Sequence, residues 1–547
     1  MNQKCRRILS LAVALAFAGG VARAQPVPDA KAREIASGGN SGNNPGDDMS
    51  PKSTAAIATA AAAEAPKIPD GPFKPTWDSV KQNYKVPQWF KDAKFGIFMH
   101  WGLYTVPAYN GGGASEWYET HLYAGGTLAW HTQKFGGLET FGYKDFIPLF
   151  TAAKFDPDAW ATLFKKSGAK YIIPTGQHHD NFSLWASKVN PFNAKDMGPK
   201  RDLIGDLGAA VKKQGLKFGI SNHGIEAYEF VKPSKAITAQ LMDKKLDVWD
   251  PKWAAFYNVV DRANPDTQKA FFINWAQRNV ELIEQYHPDM LWYDNGVDMR
   301  YLDPLKLWLA AYYYNRAAEW KQEVSISTKK AAYAPEGDNI HTIGSILDFE
   351  KIGGRSPAGI RTGSWQVDEP IGSNWGYADG MRVTSSAAVV GKLVDTVSQN
   401  GNLLLNISPK SDGTIPQDQQ DTLLGVGEWL NVNGEAIYGT HAWIKFADAG
   451  RAHIRYTVKG DDLYAIFVGA YPAGGITLAS LATGQAPEGK IASVTMLGAT
   501  GELKFSQDAT GLHVTVPGTA PCKIGYTVKI TGLKMNANTA TADGNPK

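Results

Sequence analysis

An aspartate stands directly behind a short apolar run in Asp289-Met290-Leu291-Trp292-Tyr293-Asp294-Asn295-Gly296. Met290 to Tyr293 suit a buried strand. A carboxylate at the carboxyl end of such a strand is where a parallel (β/α) barrel carries its catalytic groups. What Asp294 can do there depends on a partner carboxyl group, and Glu350 is the candidate. Other polar groups fall at strand ends in the same way. His100 closes the run Phe95 to Met99, and Glu116-Trp117-Tyr118 lies in the loop beyond it. His178-His179-Asp180 follows Tyr171-Ile172-Ile173, and Asn222-His223 follows Lys217 to Ile220. In a parallel barrel these loops meet at one face, so residues distant in sequence line one pocket.

Histidine and tryptophan around a carboxylate suit the recognition of hydroxyl groups, because a neutral imidazole donates to one sugar hydroxyl and accepts from another. A metal site is the competing chemistry, with His178, His179 and Asp180 as ligands. Adjacent histidines on an extended segment point in opposite directions, and no HExxH or CxxC spacing occurs, so no catalytic metal is expected. Each residue also has a bland reading. His100 could be a satisfied barrel histidine, Asp180 a turn cap, and Glu116 a solvated loop residue. Asp294 could cap a following helix, and Glu119 and Glu226 read as solvated faces.

The elements that must position these groups alternate between strand and helix. Trp160, Leu163 and Phe164 mark a helix before the Tyr171 strand. Leu203, Ile204, Leu207 and Val211 fall at helical spacing, with Asp202 as cap and Gly215 as stop. Ile273, Ala276, Val280 and Ile283 line another before the Asp294 strand. This rhythm means parallel βα units, and over residues 71–440 it favours a (β/α)8-like (TIM) barrel. After Tyr438 the runs become short and are punctuated by Gly, Asp and Pro. Residues 441–533 therefore read as an antiparallel β-sandwich.

The ends read differently. Lys4, Arg6 and Arg7 precede the apolar stretch Ile8 to Phe17, and Ala22-Arg23-Ala24 suits cleavage, so residues 1–24 read as a signal peptide. The Arg6-Arg7 pair leaves twin-arginine export open beside the general route. Export to the periplasm or medium of a bacterium is expected, with no membrane span. Residues 25–70, rich in Ala, Gly, Asn, Ser and Pro, read as a disordered leader, transiently helical around Ala55 to Ala65. Residues 534–547 read as a flexible tail. Of two cysteines, Cys5 lies in the signal and Cys522 remains, so no intramolecular disulfide is expected. The chain carries +3, and the signal holds four basic and no acidic residues, leaving the mature chain near −1. That removes the argument for nucleic acid or an anionic membrane as partner. The 17 tryptophans lean mildly toward carbohydrate.

Longer blocks carry a resemblance. Lys94 to Ala108, Glu116-Trp117-Tyr118, Gln177-His178-His179-Asp180-Asn181-Phe182-Ser183-Leu184-Trp185, Gly198 to Asp202, Ser398 to Ile407 and Gly427 to Tyr438 resemble signatures of the α-L-fucosidases of glycoside hydrolase family 29. The likeness spans about Phe73 to Thr440. It implies an irregular (β/α) barrel followed by a β-sandwich, and retaining hydrolysis of terminal α-L-fucose from fucosylated glycans without a cofactor. It implies Asp294 as nucleophile, His100, His178 and His179 as sugar-binding histidines, and Glu116, Trp117 and Trp292 beside the sugar.

The departures matter. Ser327-Thr328-Lys329-Lys330 stands where many members have Asn-Asp-Arg-Trp, so a basic role falls to Lys329 or Lys330, with Lys330 the expected sugar contact. Ser221-Asn222-His223 replaces a common Tyr-Tyr-Ser. Trp365-Gln366 replaces a Trp-Glu pair that carries the acid/base in some members, and glutamine delivers no proton. Leu347-Asp348-Phe349-Glu350 and Trp365-Gln366-Val367-Asp368 are similar to a bacterial branch in which Glu350 is the acid/base, with Glu369 in reserve. Burial beside Phe349 and the charge of Asp294 would favour the protonated form of Glu350. Trp117, Trp292 and Trp375 are candidates for the apolar wall that the C6 methyl of fucose needs. The rival functions are hydrolysis of another L-sugar, such as an α-L-galactoside, and carbohydrate binding without hydrolysis.

Overall fold

The computed structural model describes residues 51–111, 114–235, 237–238, 246–334, 342–350, 359–361, 363–448, 454–472 and 474–535. Eight parallel strands close into a barrel. They are β1 (Phe95–Met99), β2 (Tyr171–Gln177), β3 (Lys217–Asn222), β4 (Met290–Tyr293), β5 (Ser325–Lys329), β6 (Ile346–Glu350), β7 (Trp365–Pro370) and β8 (Gly401–Ile407). Pairing of β1 with β8, Phe95 opposite Leu403, seals the ring. Strand alternation gives each strand an inner and an outer face. Phe98, Tyr171, Ile173, Met290, Trp292, Ile346 and Leu404 form the apolar filling within, capped by Trp375. Ile97, Ile172, Leu291 and Leu405 belong to the larger core under the helices. Gly96 is glycine for a steric reason: a Cβ there would lie 2.4 Å from the Tyr171 ring, whose hydroxyl crosses the barrel to Gln366 at 3.0 Å.

The helices before and after the strands follow the expected patterns. Asp202 caps the helix Leu203–Lys213 through the Gly205 N–H. Pro157 and Pro265 open their helices at the first turn, where proline costs no hydrogen bond. Beyond the barrel, strands β9 (His441–Ala447), β10 (Ile454–Lys459), β11 (Asp462–Phe467), β13 (Gly489–Met496) and β16 (Tyr526–Leu533) form an antiparallel five-stranded sheet. It faces a three-stranded sheet of β12 (Ile476–Leu478), β14 (Phe505–Asp508) and β15 (Gly511–Val514) across a core that includes Tyr456, Leu463, Leu512 and Val528. Arg455 ties this unit to the barrel helix Ser386–Ser398 through Asp395 at 2.8 Å.

The leader departs from its compositional reading. Residues 1–50 lie outside the described residues, but Pro51–Glu64 is an ordered helix. Thr54, Ala58 and Ala61, spaced one helical face apart, are fully buried. Glu64 pairs with Lys269 at 3.1 Å, and Trp308 donates to the Pro66 carbonyl at 2.9 Å. Alanine looked like low complexity in the sequence. Its small side chain is what lets one helix lie close against Pro265–Tyr286 and Asp303–Trp320. The expected flexible tail lies, from residue 536 on, outside the described residues. Among the described residues no helix is long and apolar enough to cross a membrane.

Candidate active site

The carboxyl ends of the strands bring the predicted groups together. Asp294, one residue past β4, is 9% exposed. Its Oδ1 lies 2.8 Å from the Lys329 ammonium at the end of β5. Its Oδ2 accepts from His223 Nδ1 at 3.1 Å and faces His179 Nε2 at 3.5 Å. Burial works against ionisation of Asp294. The Lys329 charge and the two histidine contacts outweigh it, and the carboxyl titrates well below the ordinary aspartate range. Lys329 is itself held protonated, its burial overcome by Asp294, Glu350 and Asp368.

Glu350 ends β6 across the site. Its Oε2 accepts from Lys329 Nζ at 3.1 Å. One ammonium 2.8 Å from Asp294 and 3.1 Å from Glu350 limits the two oxygens to about 5.9 Å apart, which includes the ~5–5.5 Å spacing of retaining glycosidases. The expected burial of Glu350 is not found: its side chain is 39% exposed, because it stands at the last position of the strand. Strand phase sets Glu369 apart from Asp294. On β7, Gln366 and Asp368 face inward, so Glu369 points outward and bonds Lys392 of the outer helix Ser386–Ser398 at 2.6 Å. Lys330, the expected sugar contact, lies one residue past β5. It follows Lys329 with φ 56°, and its ammonium lies 3.8 Å from Asp298, so Lys329 alone of the two contacts Asp294.

The histidines are all buried, and their partners set their tautomers. Asn406 donates its amide to the Trp375 carbonyl, so its Oδ1 accepts from His100 Nδ1 at 2.8 Å and His100 keeps a lone pair on Nε2. Burial and the neighbouring His223 hold His100 neutral. Burial and its three histidine neighbours do the same for His178, whose Nδ1 has no hydrogen-bond partner among the described residues. His223 donates its Nδ1–H to Asp294, faces the Ser221 hydroxyl with Nε2 at 3.1 Å, and is pushed down to about 4 by burial. The Ser221-Asn222-His223 segment thus places a donor on Asp294. That role was legible only as a polar group at the end of β3. Glu226 is the other residue that sequence reasoning missed. Read as solvated, it is fully buried, with Oε2 3.2 Å from His179 Nε2. Glu119, also read as solvated, is 1% exposed.

The aromatic groups surround the carboxylate. Trp292 donates Nε1–H to Asp348 at 2.6 Å and lays its ring 5.2 Å from that of His223. Trp375 packs on His100 at 5.0 Å, and Lys329 sits over both indoles, at 5.2 and 5.8 Å. Trp117 meets His179 edge-on at 5.7 Å. Glu116 is buried and accepts from the Gly376 N–H at 3.3 Å, so it braces the loop that carries Trp375. Asp180 accepts from the Tyr143 hydroxyl at 2.9 Å, and burial raises it to about 6. Two groups, His100 with His178 and His223, and His179 with His223 and Asp294, keep ligand atoms within 4.8 Å of one another. His223 and His179 already spend their nitrogens on protein partners.

The sequence matches the family model described as Alpha-L-fucosidase over residues 60–435 and the Alpha-L-fucosidase C-terminal domain over residues 447–531. It is 32% identical to human (Homo sapiens) tissue alpha-L-fucosidase across 84% of this chain and 92% of that protein. Against the tissue alpha-L-fucosidase of Rattus norvegicus the identity is 32%, over 87% of this chain and 96% of that protein. The crystal structure of Thermotoga maritima alpha-fucosidase superposes with a TM-score of 0.67 at 33% identity, covering 84% of this chain and all of that one.

Proposed function

We propose roles for these residues from one premise: the chain belongs to the alpha-L-fucosidase family. It is a glycoside hydrolase that releases terminal α-L-fucose with retention of configuration, by double displacement. The observation that carries this reading is Asp294, held ionised at the end of β4, with Glu350 across the same ammonium. Asp294 attacks the anomeric carbon while Glu350 gives its proton to the departing glycosidic oxygen. Glu350 then takes a proton from water, which displaces Asp294 from the opposite face. Being half-exposed, Glu350 can reach a leaving group that lies toward solvent, and the water that enters by the same route returns its proton in the second step. Lys329 counters the charge of Asp294 in the free enzyme.

The fucose ring is held by the unpaired nitrogens of His100 and His178. They accept or donate without bringing a charge, since both imidazoles stay neutral. Trp292, Trp375 and Trp117 supply apolar faces, and a fully buried methyl there gains about 0.8 kcal/mol. Substrates are fucosylated oligosaccharides or glycoconjugates. The basic and apolar pattern of residues 1–24 supports export to the bacterial periplasm or medium. Hydrolysis of an aryl α-L-fucoside, followed by NMR, tests the reading. It predicts α-L-fucose as the first-formed product; β-L-fucose, or no hydrolysis, would contradict it.

A further inference from the structure

Glu226 lies on the short helical turn Glu226–Tyr228 that follows β3, and its side chain is fully buried. Gly296, two residues past Asp294, has φ 86°, and a Cβ there would stand 2.9 Å from Glu226 Cγ. The backbone of the Asp294 turn is thus shaped around this carboxyl group. His179 Nδ1 faces the His223 carbonyl at 3.2 Å, an acceptor, so Nδ1 carries a proton. Among the described residues His179 Nε2 faces carboxylate oxygens, Glu226 at an ion-pair distance of 3.2 Å and Asp294 at 3.5 Å. A bare ring nitrogen buried against carboxylates is repelled by them unless one of the groups carries a proton. Either Nε2 carries one, making His179 an imidazolium, or Glu226 carries it.

We propose that Glu226 and His179 hold one shared proton beside the nucleophile, and that it passes from His179 to Glu226 when Asp294 becomes esterified and returns when the ester is hydrolysed. This rests on Asp294 being the nucleophile. In the free enzyme two carboxylates attract the proton to His179. In the covalent intermediate Asp294 is a neutral ester and only Glu226 attracts it. Moving the proton from Nε2 to Oε2 then discharges a fully buried ion pair, whose desolvation is costly. The proton stays within the pair, so no exchange with solvent is needed. The titration tendencies agree. Burial raises Glu226 to about 7, against the pull of His179, and the Glu226 charge overcomes burial to raise His179. Lys330 and Asp298 also act on Glu226, with opposite signs, and His178, His223 and Lys329 lie around His179 and Asp294. Glu226 is therefore a positioning residue: it touches His179 and lets that histidine follow the charge of Asp294.

Neutron diffraction on the wild-type enzyme, free and after reaction with 2-deoxy-2-fluoro-fucosyl fluoride, reads the proton directly. The expected result is deuterium on both nitrogens of His179 in the free enzyme, and on Nδ1 of His179 and on Glu226 in the trapped one. The proton in the same place in both states, with the sugar on Asp294, would overturn the proposal and leave the nucleophile assignment intact. A sugar on another residue would overturn the nucleophile assignment itself. In solution, Glu226→Gln should lower kcat by about tenfold with KM little changed, and Glu226→Asp should restore part of the loss. Equal losses in the two variants, or a loss in KM alone, would count against a mobile proton.

Discussion

Asp294 and Glu350 are reached by the same ammonium, yet their surroundings are opposites. Asp294 is buried, with Lys329, His179 and His223 around its two oxygens. Glu350 is 39% exposed, with Lys329 as the partner of its Oε2. The difference suits the two tasks proposed for them. A nucleophile must be ionised whenever substrate arrives, and fixed donors achieve that. An acid/base must exchange its proton each cycle, and a dense set of donors would hold it ionised.

Asp294→Gly should fold normally and lose turnover by at least ~10⁴-fold, since losing a nucleophile forfeits the whole displacement. Near-wild-type turnover would remove Asp294 from the chemistry. Glu350→Ala should lose about 10²–10⁴-fold on a fucosyl-oligosaccharide but far less on an aryl fucoside with an acidic phenol, because the activated leaving group needs no protonation. Equal losses on both substrates would mean that Glu350 is not the acid. Lys329→Gln removes the charge that most depresses Asp294. Activity that needs ionised Asp294 is lost as pH falls through its pKa. The acid limb of kcat/KM should therefore move to higher pH, by about 1–3 units, and an unmoved limb would show that the histidines suffice. Glu369→Gln should change activity only a few-fold and show no leaving-group dependence, because this carboxyl faces Lys392 outside the barrel. Exhaustive dialysis against EDTA should leave activity unchanged, and a large loss restored by zinc would assign the histidine clusters to a metal.

How much of this was legible in the sequence depends on whether a residue's role is local. The parallel barrel was, because apolar runs and helical spacing repeat along residues 71–440. So was the gathering of Asp294, His100, His178 and His179 at one face, because each stands at a strand end. Errors of phase came next. Lys329 and Lys330 differ by one position, and one residue decides which faces Asp294. Asp368 and Glu369 also differ by one position, and the phase of β7 gives Asp368 the inward one. Glu226 was beyond reach, since its burial depends on Gly296 and His179, both far along the chain. The helix Pro51–Glu64 was expected only as a transient one around Ala55 to Ala65, because composition does not reveal the face it docks with.

The two carboxylates are separated most directly by the azide products of their variants. Azide added to Asp294→Gly enters from the vacated nucleophile side and should give β-L-fucosyl azide. Azide added to Glu350→Ala attacks the covalent intermediate from the other side and should give α-L-fucosyl azide. The account predicts this opposite pair of configurations. The same configuration from both variants, or rescue of Glu369→Ala in place of Glu350→Ala, would contradict it.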